Sequence, residues 1–185
     1  RWLGLSSTEA PPDLDFADAR PYVEARFPLA VALGDRRATA EAVWHLSELL
    51  RLHPADKVGA RYALTAILAQ EGADQAVCQV MGRYSDDRGG EWAYLRALLV
   101  FRQEGNSARA RDLLREALNH SPESARLLRQ AAAFDRSAPL DTREDSGAVW
   151  WILFVNTPAW IATPGAVEWL RKVRRGRKTS TPEPW

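Results

Sequence analysis

Groups able to handle protons or metal ions are scarce in this chain of 185 residues, which holds three histidines and one cysteine. His45 falls mid-helix, with neither a second histidine nor a carboxylate at convincing ligand spacing. His53 and His120 lie near Pro54 and Pro122, where polar residues belong to ordinary turns. A histidine without a positioned partner makes neither a metal site nor a catalytic triad, so each is expected to be structural or superficial. Cys78, placed between Val77 and Val80, reads as a small buried hydrophobe. Use as a nucleophile would need a nearby base to lower its pKa, and none is visible.

Asp86-Asp87-Arg88-Gly89-Gly90 offers two carboxylates and a flexible pair. It lacks the alternating oxygen ligands and closing glutamate of a calcium loop, and no Gly-Lys-Ser/Thr follows to build a phosphate loop. A turn between helices explains it better. No metal, cofactor or catalytic residue is therefore expected, and the chain does not read as an enzyme. A site assembled in space from scattered acids and arginines stays as an alternative that sequence does not reveal.

Charge is unevenly placed. The formal net charge is +1, yet Arg171, Lys172, Arg174, Arg175, Arg177 and Lys178 put six positive charges into eight residues, leaving about −5 elsewhere. Such a run can make salt-sensitive phosphate contacts or be a solvated tail, and no aromatic interleaves it until Trp185. Hydrophobic residues at 46% and charged residues at 26% fit a folded chain rather than a disordered one. The longest apolar run, Ala148 to Val155, covers eight residues, far below the roughly 20 of a membrane span. A lone cysteine closes no internal disulfide, so a cytoplasmic location is expected. The chain opens on Arg1 without a secretory signal, which reads as a fragment or a processed product.

The elements that would position these groups show a repeat. Ala42, Ala76 and Ala110 are spaced by 34 residues, as are Leu46, Val80 and Leu114, and Leu33, Ile67 and Phe101. Pro54 and Pro122 stand 68 apart, with Arg88 in the slot between them. A unit of this length is two antiparallel helices and two short turns, and it cannot bury its apolar face without a neighbour. Gly34, Gly72 and Gly105 sit where the first helix of each unit should end. Asp74 and Ser107 follow as N-caps of the second helix. Ser121-Pro122-Glu123 supplies a cap, a proline for the first turn and an acid suited to the helix dipole.

This spacing resembles that of the tetratricopeptide-repeat family. Its second-helix slots read here Ala42/Leu46/Leu49/Pro54, Ala76/Val80/Arg83/Arg88 and Ala110/Leu114/Ala117/Pro122. Repeat two departs at its end, where Ser85-Asp86-Asp87-Arg88 replaces the proline, and the large-then-small pair of the first helix is reversed as Ala63-Leu64 and Ala97-Leu98. Phrases such as Leu52-His53-Pro54-Ala55-Asp56 and Thr163-Pro164-Gly165-Ala166-Val167-Glu168-Trp169-Leu170 also look like a bacterial module of that kind. The resemblance implies an all-α, right-handed superhelix of about three hairpins with a C-terminal helical cap. It implies a protein-binding role and no reaction.

The expected organisation is an N-terminal extension over 1–21 and a solenoid over 22–134. The solenoid has hairpins near 22–56, 57–88 and 89–122, then a capping helix over 123–134. A polar linker over 135–146 leads to tryptophan-rich helices within 147–174 and a disordered tail over 175–185. Thr157-Pro158 and Thr163-Pro164 each read as a capping hydroxyl before a proline at the first helical position. Trp150, Trp151, Trp160 and Trp169 would lid the last apolar face, dock a partner or membrane surface, or fold back into the repeats' own groove.

In this family the first helix of each hairpin lines the concave groove. The resemblance then nominates Arg61 and Thr65 from repeat two, and Trp92, Arg96, Leu99 and Arg102 from repeat three, as partner-binding residues. The arginines suit carboxylates, and Trp92 suits an aromatic anchor; pairing with neighbouring acids and packing between hairpins are their structural alternatives. Slots that clamp a C-terminal carboxylate in some relatives hold Phe27, Val31, Thr65, Leu95 and Leu99. A peptide or helix of another protein is the expected partner, and nucleic acid or an acidic surface at the basic tail is the alternative.

Overall fold

The computed structural model describes residues 16–87, 89–133 and 157–177. Among them every regular element is an α-helix. In order they are α1 (Phe16–Asp35), α2 (Thr39–Leu52), α3 (Ala60–Gln70), α4 (Asp74–Arg83), α5 (Gly90–Glu104), α6 (Ala108–His120), α7 (Pro122–Ala133) and α8 (Ala166–Arg177), with helical turns over 157–162 before α8. No helix among the described residues is long and apolar enough to cross a membrane.

The chain forms two compact units, residues 1–85 and 86–185. The division falls in the turn where the second repeat lacks its proline.

Unit 1 contains α1 to α4. Its two hairpin turns are copies of one another at an interval of 35 residues. Ala38 N–H donates to the Leu33 carbonyl and Ala73 N–H to the Leu68 carbonyl, both at 2.9 Å. Arg37 and Gly72 hold the matching left-handed position, at φ 60° and 72°. The interval read from alanines was 34, one short. Val77, not Ala76, is the buried partner of Ala42 in the second repeat, while Val80, matched to Leu46, is buried together with Met81. Cys78 is exposed and not the buried hydrophobe expected.

Gly34 does not end α1. It lies within the last turn, where an added Cβ would stand 2.8 Å from Ile67 Cδ1, so its lack of a side chain lets α1 and α3 approach closely. α1 also starts earlier than expected, at Phe16, and carries Pro21 and Pro28 inside it. Each proline removes one helical hydrogen bond, and both lie on the solvent side. The first hairpin therefore reaches into the segment read as an extension.

Unit 2 is built around α5. Trp92, Tyr94, Leu95, Ala97, Leu98, Leu99 and Val100 are all buried, a ring of apolar positions that marks a helix covered on all sides. α6 covers one side through Ala110, Leu114, Ala117 and Leu118. Ser107 caps α6 as expected, its hydroxyl accepting from Ala110 N–H at 3.0 Å. Asp74 is the first helical residue of α4 rather than its cap, which is Ala73 without a side-chain bond. The Tyr94 hydroxyl donates to the Ser121 carbonyl at 2.7 Å, fixing α5 to the junction of α6 and α7.

The described part of the tryptophan-rich segment closes this unit. Trp169 stacks on Phe101 with ring centroids 4.4 Å apart and on Trp160 at 6.0 Å, and Trp160 meets Tyr94 edge-on. Trp169 Nε1–H donates to Asn106 Oδ1 at 3.0 Å. α8 packs against α6 and α7. Thr163 does not cap α8; its hydroxyl donates back to the Ala159 carbonyl at 2.7 Å and ends the preceding turns. Gly165, at φ 76°, then admits the left-handed step into α8. The linker over 135–146, the helix expected near 147–156 with Trp150 and Trp151, and residues 178–185 of the tail lie outside the described residues.

Replacing Trp169 with Ala removes two ring stacks and one hydrogen bond from a buried position. The expected loss of stability is about 3–5 kcal/mol, read as a lower urea midpoint for unit 2. A surface change such as Lys172→Ala should leave that midpoint unaltered.

Candidate partner-binding surface

The nominated residues of unit 1 meet around Asp56. This aspartate follows α2 with φ 47° and is 4% exposed. Its carboxylate accepts from Ala60 N–H at 2.7 Å and Arg61 N–H at 3.0 Å, satisfying the otherwise unbonded first amides of α3. Arg61 Nη1 adds a third donor at 2.8 Å and also reaches the Asp56 carbonyl at 3.1 Å. The rest of the guanidinium lies over the Tyr62 ring, 4.3 Å from its centroid, and near Tyr84 at 5.4 Å. Burial pushes the Asp56 carboxyl up, against the pull of the backbone amides and Arg61. Thr65, fully buried, bonds its hydroxyl to the carbonyls of Arg61 and Tyr62.

Arg61 and Thr65 are thus brought together, one turn apart, in an internal role. Arg61 holds a buried carboxylate and two aromatic rings, which is the pairing with a nearby acid that sequence offered as its alternative role.

In unit 2, Trp92 is fully buried and Leu99 nearly so. Arg96 Nη2 donates to the Asp87 carbonyl at 3.0 Å, within the turn that leads into α5. Arg102 Nε donates to Thr163 Oγ1 at 2.8 Å and its Nη2 to the Ala159 carbonyl at 3.2 Å. The side of α5 that bears Arg102 is therefore occupied by the chain's own turns at 157–165.

Exposed apolar surface lies elsewhere. Tyr22, Leu29 and Trp44 are 46%, 48% and 58% exposed, and Ile161 is 53% exposed on unit 2. On α1, Tyr22, Ala25, Leu29 and Ala32 are all exposed, and their spacing places them along one helical face. The one charged side chain between Ala25 and Gly34, Arg26, is turned toward α2. Its Nε donates to His45 Nδ1 at 2.9 Å, and its guanidinium lies 4.5 Å from the Trp44 ring centroid and 5.2 Å from that of Tyr22. Arg26 Nη2 is buried without an acceptor, and burial pulls this guanidinium below its ordinary pKa. Sequence reasoning missed this cluster. The signal available was an apolar stripe on the outer side of α1, hidden because α1 reads as apolar on its inner side too.

The basic run begins on the outer side of α8. Ala166, Trp169 and Leu170 are buried while Arg171 and Lys172 are exposed. Arg171 bonds Glu168 at 3.2 Å. Arg174, Arg175 and Arg177 continue along α8; their side chains, and Lys178 altogether, lie outside the described residues. Among the described residues no group of three or more His, Cys, Asp and Glu gathers as a metal-holding set.

Against family models, curated proteins and solved structures, the chain gives no match. The fold defines an all-helical protein built of hairpins.

Removing Arg61 should act through stability. In Arg61→Ala the Asp56 carboxylate stays buried without its cation, with an expected loss of about 3–5 kcal/mol. Thermal or urea unfolding of Arg61→Ala, beside Arg61→Lys, checks this; an unfolding midpoint equal to wild type would show that the guanidinium is dispensable to the fold.

Proposed function

We propose that the chain is a protein-binding module of the tetratricopeptide kind, which holds a peptide or helix of another protein on the outer face of α1 and α2. The observation that carries this reading is the exposed group Tyr22, Leu29 and Trp44, with Arg26 seated against α2 and against the Tyr22 and Trp44 rings. Large exposed aromatics held rigidly make good anchors, because little side-chain freedom is left to lose on binding. The stripe Tyr22, Ala25, Leu29 and Ala32 gives such a partner a charge-free helical face to lie on. The two equal hairpin turns of unit 1 support the repeat assignment, since stacked copies of one unit present such faces side by side.

A second reading is favoured by α8. Because Trp169 and Leu170 hold its inner side, Arg171 and Lys172 face solvent, and phosphate groups of a nucleic acid would meet them first.

One experiment separates the two. A photo-crosslinking residue at position 29 identifies what contacts α1 in native extract, and titration calorimetry then measures the captured partner against variants. Under the first reading Trp44→Ala lowers affinity about 30-fold, the effect of losing an anchor of about 2 kcal/mol, while Arg171→Ala/Lys172→Ala has little effect. An affinity indifferent to Trp44, falling steeply with salt and with the double change on α8, would replace the first reading with the second.

A further inference from the structure

The bond between Arg26 and His45 joins α1 to α2 by an unusual pairing. An arginine donates to the lone pair of Nδ1, which requires that this nitrogen carry no proton. The same guanidinium is the plate on which the exposed Trp44 indole rests, and the His45 ring meets Trp44 edge-on at 4.7 Å. We propose that His45 is an acid-sensitive latch: its neutral imidazole holds Arg26 beneath Trp44, and its protonation breaks that bond and frees the indole.

The chemistry follows from the donor count. A protonated imidazole has two N–H groups and no acceptor, so the 2.9 Å contact would become two donors facing each other and two positive charges in contact. Nothing nearby offsets this fully. Glu41, one turn earlier on α2, favours the charged ring, while Arg26 on α1 opposes it. Glu48 bears on Arg26 but is bound to Arg51 through two bonds, at 2.8 and 3.0 Å. On α1, Arg20 and Glu24 pair with each other. From α3, which packs against both α2 and α1, the one charged side chain is Arg61, held by Asp56, and the one tyrosine is Tyr62, beneath that guanidinium.

Burial, then the Arg26 charge, holds the imidazole below its ordinary 6.5. A histidine whose folded-state pKa is lowered contributes stability that is complete above its unfolded value and is lost progressively as pH falls from there through the folded one. Unit 1 should therefore loosen on mild acidification, in the range where histidine alone among ordinary side chains titrates. Any matching change in partner affinity rests on the reading that this face binds the partner; the latch itself is read in the free protein.

The test is a nitrogen-15 NMR titration of the histidine rings in the full chain, from about pH 8 to about pH 5, with thermal unfolding over the same range. His45 should show the Nε2–H tautomer at the alkaline end and a midpoint below 6.5. In Arg26→Met that midpoint should move upward, a change that a merely structural contact would not cause. His45→Gln keeps an acceptor that does not titrate, so its melting temperature should fall less on acidification than that of wild type. A His45 midpoint at or above 6.5, or one unmoved by Arg26→Met, would overturn the latch. If the latch titrates as expected while partner affinity stays constant with pH, the inference stands and it is the assignment of the binding face that fails.

Discussion

A pair of helices has more apolar surface than the pair itself can cover, and both units of this chain are answers to that constraint. Unit 1 answers by repetition: a second hairpin enters by the same turn and lies against the first, with Gly34 thinned to let Ile67 in. Unit 2 answers by enclosure. There α5 buries apolar side chains around its whole circumference, and α6 and the returning segment at 157–177 share the work of covering it. The two solutions differ in what they leave outside. Stacking leaves an end face open, with Tyr22, Leu29 and Trp44 on it, whereas enclosure withdraws Trp92 and Leu99 from solvent.

Much of the helix plan was legible because punctuation is a local matter. Ser107 could be read as a cap, and the starts of α4 and α6 fall within one residue of the signals Asp74 and Ser107. The interval between the first two repeats was misread by one residue for an equally local reason. Ala42 and Ala76 match as letters, but burial depends on the phase of the helix after its turn. The left-handed residue that sets this phase is Arg37 in one copy and Gly72 in the other. An arginine in that position carries no sequence signal. Cys78 was misread for a separate reason: Val77 and Val80 beside it are buried, but a step along a helix rotates a side chain from the core to its edge.

The partner-binding candidates were less legible, because a guanidinium serves an interior as readily as an interface. Five N–H donors in a fixed fork suit carbonyls that chain turns leave unbonded as well as they suit a ligand's carboxylate. Arg102 bonds such a carbonyl at Ala159, Arg96 one at Asp87, and Arg61 both a carbonyl and a carboxylate at Asp56. Their counterpart Arg26 finds an imidazole in place of an acid. Which role an arginine takes is decided by acceptors 5 to 61 positions away in the chain, beyond any motif.

The tie between Arg102 and Thr163 spans 61 residues, and that separation orders events in time. Contacts between α5 and α6 need only a three-residue turn and form quickly, while a loop this long closes late because its ends must first find each other. During synthesis the outward side of α5 is therefore complete before the segment that covers it has left the ribosome. For that interval unit 2 presents Tyr94 and Phe101 without Trp160 and Trp169 against them. The nascent chain passes through a sticky stage that the finished molecule conceals, and chaperone demand should be concentrated there.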